Sequence, residues 1–254
     1  MKTLILAGGL GTRLSEYTHL IPKPMVTIGD KPILHHIIDT YVKYNQKSFL
    51  ILTGYKSEVI VEYFVGEKNK AKLDDNNYIR VKDYNDKFIK EGIDIDLLYT
   101  GENTMTGGRI KRAENYIDTN SFMVTYGDGL SNINISALIN FHAENQKIGT
   151  VTAVRPPARF GELEINKHAV TKFEEKPQLQ KGWINGGFFV FEKIFFNFIE
   201  DDSIMLEREP LINLTNKKNL SAYKHEDFWQ CMDNKRDRDY LEKLFYENNA
   251  PWIK

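Results

Sequence analysis

An α/β fold, with a mixed, mostly parallel sheet flanked by helices, follows from three observations. Short apolar runs alternate with segments of helical period, the pattern of βαβ units. The first run, at residues 3–7, is Thr-Leu-Ile-Leu-Ala and stops at Gly8-Gly9, as a strand buried on both faces does. The chain has 254 residues, 41% hydrophobic and 27% charged. That is enough to bury roughly three quarters of its unfolded surface in a core.

The elements follow in order. Residues 31–44 place Ile33, Leu34, Ile37, Ile38, Tyr41 and Val42 on one helical stripe. Residues 49–53 form the next strand and 56–65 another amphipathic helix. Residues 93–99 and 122–126 continue the strand series, with a helix between them carrying Arg109, Lys111 and Arg112. Segments 150–154, 162–165 and 169–173, with a turn at Asn166-Lys167, predict a later β-rich part. Residues 183–191 form another strand and 235–248 a closing charged helix. Residues 66–90 break the rhythm, being rich in Lys, Asp and Asn without a fixed apolar period. An insertion of that size acts as a lid, an assembly arm or a mobile loop. No repeat or linker divides the chain, so 1–254 reads as one domain with an insertion.

Composition excludes several function classes. Lys+Arg is 34 against Asp+Glu 35, a net charge of -1, which removes bulk basicity as a reason to bind nucleic acid or an anionic membrane. Cys231 is the single cysteine, so an internal disulfide and a cysteine zinc cage are both ruled out. No uncharged apolar run approaches the ~18 residues of a membrane span. The apolar stretch at the start is too brief for a signal sequence, so a cytoplasmic location is expected.

The strongest chemical signal is Leu6-Ala7-Gly8-Gly9-Leu10-Gly11-Thr12-Arg13-Leu14, directly after the first strand. Three glycines in four positions let backbone N–H groups approach an anion closely. Thr12 adds a hydroxyl donor, and Arg13 a permanent fork suited to phosphate oxygens. A dinucleotide fingerprint would need glycine at position 14, which is leucine, and a Walker loop would need Gly-Lys-Ser/Thr. Pro22-Lys23-Pro24 then stiffens the backbone around a lysine. Lys23 is either a neutraliser of phosphate charge or a surface lysine in an extended connector.

Other residues leave two readings each. Asp128, between Gly127 and Gly129 after an apolar strand, is a turn aspartate or a ligand for a hard cation such as Mg²⁺. Asp233 alone would cap the helix that follows it. The knot Glu174-Glu175-Lys176-Pro177 alone is a solvated turn. Thr106-Gly107-Gly108 opens a helix, where free N–H groups suit an anion or a base carbonyl and where a plain cap serves equally. His35 and His36 point about 100° apart on a helix, which predicts one packed and one solvated ring. Cys231 reads as a packed thiol near the site, and no Ser/His/Asp or Cys/His set suggests covalent catalysis.

Taken together, the Gly8–Leu14 loop and Pro22-Lys23-Pro24 resemble the signature of the sugar-1-phosphate nucleotidyltransferases. Further matches run through Tyr126-Gly-Asp-Gly129, Arg159-Phe-Gly161, Phe173-Glu-Glu-Lys-Pro177, Asn185-Gly-Gly-Phe-Phe189 and Phe228-Trp-Gln-Cys-Met-Asp233. Thr104-Met-Thr-Gly-Gly-Arg109, Glu207-Arg-Glu-Pro-Leu211 and Ala250-Pro-Trp252 resemble the cytidylyltransferase branch, which acts on glucose 1-phosphate. The resemblance implies a Rossmann-like fold and a sugar-phosphate-binding part at about 150–225. It implies that CTP and glucose 1-phosphate are the substrates, that Mg²⁺ is the cofactor, and that the protein is a homo-oligomer. It places the nucleotide at Leu6, Ala7, Gly8, Gly9, Gly11, Thr12, Arg13, Lys23, Thr104 and Arg109. It places the sugar phosphate at Gly161, Glu175, Lys176, Asn185 and Gly186, and the metal between Asp128 and Asp233. Arg13, Lys23 and Asp128 would carry the chemistry. Another nucleotide or sugar 1-phosphate is the alternative, and a silent nucleotide-sugar sensor a more distant one.

Overall fold

Eight strands form one sheet in the computed structural model, which describes residues 1–65, 78–80, 92–156, 162–174 and 182–254. The strands are β1 (Lys2–Ala7), β2 (Thr27–Ile28), β3 (Lys31–Pro32), β4 (Ser48–Thr53), β5 (Tyr78–Arg80), β6 (Asp94–Tyr99) and β7 (Ser121–Tyr126). They continue as β8 (Gly129–Ser131), β9 (Gly149–Val154), β10 (Glu162–Asn166), β11 (Ala169–Glu174), β12 (Ile184–Glu192), β13 (Leu220–His225) and β14 (Trp229–Cys231). The main sheet runs β13-β9-β12-β7-β1-β4-β6-β5. Only β12 and the edge strand β5 run antiparallel to their neighbours.

The described helices are α1 (Ser15–Thr18), α2 (Ile33–Val42), α3 (Ser57–Val65), α4 (Thr106–Arg112), α5 (Ile135–Asn145), α6 (Glu209–Asn216) and α7 (Lys235–Tyr246). They cover both faces of the sheet, which explains why β1 and β4 are apolar without alternation. Ile5, Ala7, Phe49 and Ile51 pack into one core with α2, α3 and α5 residues. Leu4, Leu6, Leu50 and Leu52 pack into the other with Ile110, Phe195, Phe196 and Leu214. No helix is long and apolar enough to cross a membrane among the described residues.

The predicted strands and helices recur within a residue or two, with two corrections. Gly149–Val154 is not in a separate β-rich part: it pairs with β12 and β13 inside the main sheet. Of the three segments expected there, β10 and β11 lie outside the main sheet, as a two-stranded hairpin. The second correction concerns the histidine pair, since both rings are buried. His35 Nδ1 lies 2.5 Å from the Tyr63 hydroxyl, and His36 Nε2 lies 2.9 Å from the Ile28 carbonyl. The helix is sandwiched from two sides, so 100° of rotation does not reach solvent. Of the 66–90 insertion, only Tyr78–Arg80 is described, as the edge strand beside β6; the rest lies outside the described residues.

The chain leaves β1 toward β4 on one side and later returns to β7 on the other. The C-terminal ends of β1 and β7 therefore open a crevice at a reversal of strand order, where α/β sheets bind ligands.

Candidate active site

The Gly8–Gly11 loop leaves the end of β1 into a short 3₁₀ turn at Thr12–Leu14. Gly11 sits at φ 62, in the left-handed region that glycine enters without strain. Gly8 is required for a different reason. A Cβ there would stand 2.2 Å from Arg109 Nη1, because that guanidinium lies directly beneath the loop. Leu6 and Ala7 are buried strand residues leading into the loop, while Gly9, Thr12 and Arg13 are exposed at its rim.

Arg109, on α4, is 3% exposed and makes hydrogen bonds to the protein itself. Nη1 donates to the carbonyls of Thr53 (3.2 Å) and Gly101 (2.6 Å) and to the Thr100 hydroxyl (2.6 Å). Nη2 donates to the carbonyls of Gly8 (2.9 Å) and Glu102 (3.1 Å). Burial, with the neighbouring Arg112 charge adding to it, pulls Arg109 below the usual guanidinium range. The side chain thus clasps the loops that follow β1, β4 and β6. Thr104 is buried beside the same loop, its hydroxyl 3.0 Å from where a Gly101 Cβ would stand.

The glycines that open α4 are also packing surfaces. A Cβ on Gly107 would meet the Ile204 carbonyl at 2.7 Å, and one on Gly108 would meet Asp202 Cα at 2.5 Å. The Met105 and Gly108 N–H groups donate to the carbonyls of Asp202 and Ile204. A neighbouring segment crosses the helix start and takes two of its N–H donors.

Asp128 and Asp233 meet through a short ladder. β8 pairs antiparallel with β14 as Gly129↔Cys231, Leu130↔Gln230 and Ser131↔Trp229. The Met232 N–H then donates to the Asp128 carbonyl, at 2.8 Å. Asp233 is spared the capping role because Asn234 takes it, its Oδ1 accepting from the Asp237 N–H. Both carboxylates converge on one ammonium. Lys23 Nζ donates to Asp128 Oδ2 at 2.6 Å and to Asp233 Oδ1 at 2.9 Å. Arg13 Nη1 donates to the other oxygen, Asp233 Oδ2, at 2.9 Å.

Burial by itself would lower the Lys23 pKa, but Asp128 and then Asp233 outweigh it and hold the ammonium above the ordinary lysine value. Burial likewise opposes ionisation of Asp233, yet Lys23 and Arg13 bring it below the usual carboxylate range. Arg13 itself has a side chain 77% exposed, so its free face points into solvent over the glycine loop. Cys231 Sγ lies 3.6 Å from Asp233 Oδ2, and burial, reinforced by the Asp233 and Asp128 charges, pushes the thiol up to about 12. It is a poor nucleophile at neutral pH.

Two hard oxygen donors that already share one cation fit Mg²⁺, which usually takes one or two protein carboxylates and completes its shell with water and phosphate oxygens. Among the described residues no cluster of three or more His, Cys, Asp or Glu side chains gathers to hold a metal.

On the far side of Asp128, the Tyr126 hydroxyl accepts a hydrogen bond from Asn185 Nδ2 (3.0 Å) and donates to Glu207 Oε1 (2.5 Å). Asn185 is exposed, Gly186 is buried, and Gly186 O accepts from Trp229 Nε1 at 2.8 Å. Gly161, Glu175 and Lys176 lie outside the described residues. The structure therefore joins Arg13, Lys23, Asp128 and Asp233 through ion pairs, while Asn185 bonds Tyr126, two residues before Asp128. Thr106, Tyr126 and Glu207 are not among the site residues that the resemblance implies. They lie within the motifs at residues 104–109, 126–129 and 207–211.

The chain is similar to known proteins in sequence and in fold. Residues 2–235 match the family model described as Nucleotidyl transferase. The glucose-1-phosphate cytidylyltransferases of Salmonella typhimurium and Salmonella typhi are each 44% identical over 265 residues, covering 99% of this chain and 98% of theirs. In structure, the chain is similar to a UDP-glucose pyrophosphorylase crystallised with UDP-glucose, with a TM-score of 0.69 at 18% identity. That match covers 97% of this chain and 98% of the other.

Proposed function

The chain belongs to the nucleotidyl transferase family, and from that premise we propose that it transfers the cytidylyl group of CTP to glucose 1-phosphate, giving CDP-glucose and pyrophosphate. The observation that carries this reading is the junction of Arg13, Lys23, Asp128 and Asp233 at the mouth of a glycine loop. Two cations and two carboxylates in contact make a site that is close to neutral before substrates arrive.

A phosphate oxygen of glucose 1-phosphate attacks the α-phosphorus of CTP in line, and the bond to pyrophosphate breaks. The attacking oxygen is already ionised near neutral pH, so no general base is required. The barrier lies in aligning two polyanions and offsetting their repulsion. Backbone N–H groups of Gly8, Gly9 and Gly11, with Thr12, cradle the triphosphate. Arg13 stabilises charge that develops on the departing pyrophosphate. Lys23 turns from the carboxylates toward the α-phosphate oxygens. Asp128 and Asp233 would hold Mg²⁺, which when bound neutralises phosphate charge. Thr104 and Arg109 shape the nucleotide side from below, and Asn185 and Gly186 face the sugar. Gly161, Glu175 and Lys176 complete the sugar-phosphate side in the resemblance, with Glu175 accepting from sugar hydroxyls and Lys176 neutralising the phosphate. A homo-oligomer belongs to the same reading and is tested by light scattering.

The test is pyrophosphate release with Mg²⁺ and glucose 1-phosphate, run in parallel with CTP, dTTP, UTP, GTP and ATP. Release with CTP alone is expected. Activity with a different nucleotide keeps the chemistry and overturns the base assignment. Silence with every nucleotide and with other sugar 1-phosphates rejects the reading.

A further inference from the structure

Four segments distant in sequence meet in one chain of hydrogen bonds beside the site: the start of α4, the end of β7, the start of β12, and the turn before α6. Each bond in it has only one available polarity. The Leu206 N–H donates to Thr106 Oγ1 at 2.9 Å, and the Thr106 hydroxyl proton goes on to Glu207 Oε2 at 2.7 Å. At the other end, the Gly187 N–H donates to Asn185 Oδ1 at 2.8 Å. The amide is thereby oriented, and its Nδ2 donates to the Tyr126 oxygen at 3.0 Å. The phenol proton must then point the other way, to Glu207 Oε1 at 2.5 Å. The Glu207 carboxylate, accepting on both oxygens, terminates both arms.

Backbone geometry holds this arrangement closely. Gly187 has φ 80, and a Cβ there would stand 2.4 Å from the Tyr126 ring. The register of β12 against β9 shifts between Asn185 and Phe189. The ring and the amide are thus pressed together at a bulge, and Asn185 remains exposed with a second Nδ2 proton to offer. Glu207 is partly buried and reaches no phosphate-loop residue through the bonds above. Its influence on the site runs through Tyr126.

We infer that Glu207 is a positioning residue for the sugar side of the site, holding the Tyr126 hydroxyl in one direction so that its oxygen stays a fixed acceptor for the Asn185 amide. The inference rests on the proposed reading in which Asn185 faces the sugar. A glutamine at 207 has the same shape but brings an NH₂ group against one of two donors. The phenol proton or the Thr106 proton must then turn away; where it is the phenol proton, the Tyr126 oxygen is no longer a fixed acceptor for Asn185 Nδ2, although Asn185 Oδ1 stays held by the Gly187 N–H.

The experiment is steady-state kinetics on Glu207→Gln, Tyr126→Phe, their double variant and Asn185→Ala, with melting temperatures measured alongside. Glu207→Gln and Tyr126→Phe should each raise the KM for glucose 1-phosphate about tenfold, the size of one hydrogen bond. The KM for CTP should stay within twofold, and the double variant should match the worse single variant, since both break one chain. Glu207→Asp, which keeps the charge but cannot span both hydroxyls, should show the same split and serves if Glu207→Gln fails to fold. A glucose 1-phosphate KM within twofold of wild type, with a lowered melting temperature, would make Glu207 a structural tie and overturn the inference. Equal rises in both KM values would overturn it too. If Asn185→Ala raises the sugar-phosphate KM and Glu207→Gln does not, only this inference falls. If Asn185→Ala leaves that KM unchanged, the sugar-side assignment falls and the inference with it.

Discussion

Replacing Arg109 with alanine separates two roles that one buried side chain can have, as a ligand for the nucleotide or as a clasp for the loops that bind it. The structure sets the size of the clasp. Removing the guanidinium does not orphan every acceptor it touches. The Thr53 carbonyl still accepts from the Thr100 N–H and hydroxyl, and the Gly8 carbonyl still accepts from the Tyr55 N–H. The carbonyls of Gly101 and Glu102 lose the only partner each has among the described residues. Two such carbonyls at about 1–3 kcal/mol each, with solvent reaching the exposed end, give a loss of about 3 kcal/mol. For a chain of this size that lowers the melting temperature by about 6–12 °C. Arg109→Lys should recover only part of it, since a single ammonium cannot reach carbonyls on three loops. The assay is thermal melting with and without saturating CTP, together with the KM for CTP. A melting temperature within 2 °C of wild type, accompanied by a large rise in CTP KM, would refute the clasp and make Arg109 a direct ligand.

Three further outcomes follow from the same geometry. Arg13→Ala should lower kcat by about 10²- to 10³-fold, the usual cost of one charge-stabilising group. Its side chain is 77% exposed, so the melting temperature should not move, and near-normal turnover would remove Arg13 from the mechanism. Chelation by EDTA should abolish pyrophosphate release and added Mg²⁺ restore it, with Asp233→Asn needing a higher Mg²⁺ concentration for half-maximal rate; an unchanged requirement would exclude Asp233 as a ligand. Burial holds the His36 imidazole below the ordinary histidine value, while its Nδ1 accepts from Trp252 Nε1 at 3.3 Å. The unfolded chain therefore takes up the proton first, so the stabilisation is complete above about pH 6.5 and is lost as pH falls toward the folded pKa, by at most about 1.4 kcal/mol per pH unit. Urea unfolding at pH 7.5 and 5.5 measures this, and His36→Gln should flatten the difference; equal declines in both proteins would show that another group is responsible.

Local chemistry was readable in advance wherever it depended on neighbours in the chain. The phosphate loop was legible because a buried strand, three glycines, a threonine and an arginine are consecutive, and the backbone alone decides how they turn. The runs at 3–7, 49–53 and 122–126 were legible as strands because a sheet covered on both faces demands unbroken apolar sequence. Helices α1, α5 and α6 and the strands β2, β3, β5, β8, β13 and β14 are not among the elements that the sequence pattern predicts. β8 and β14 are three residues each, too short to show a period, and exist only because they pair with each other.

Sequence determined the donors: Arg13, Lys23, Asp128 and Asp233 carry their charges whatever the fold. Only tertiary structure decided their relations. Asp128 and Asp233 lie 105 residues apart in sequence, and a three-pair ladder joins them, while Asn234 makes the cap that Asp233 taken alone would suggest. Arg109, placed at the nucleotide by resemblance, clasps the loops because the ends of three strands present their carbonyls to one point. The glycines at 107 and 108 became packing surfaces because the 202–206 segment crosses them. Charge and hydrogen-bonding capacity are properties of a residue, but what uses that capacity depends on which distant segment arrives first, and that is set by how the sheet and helices pack.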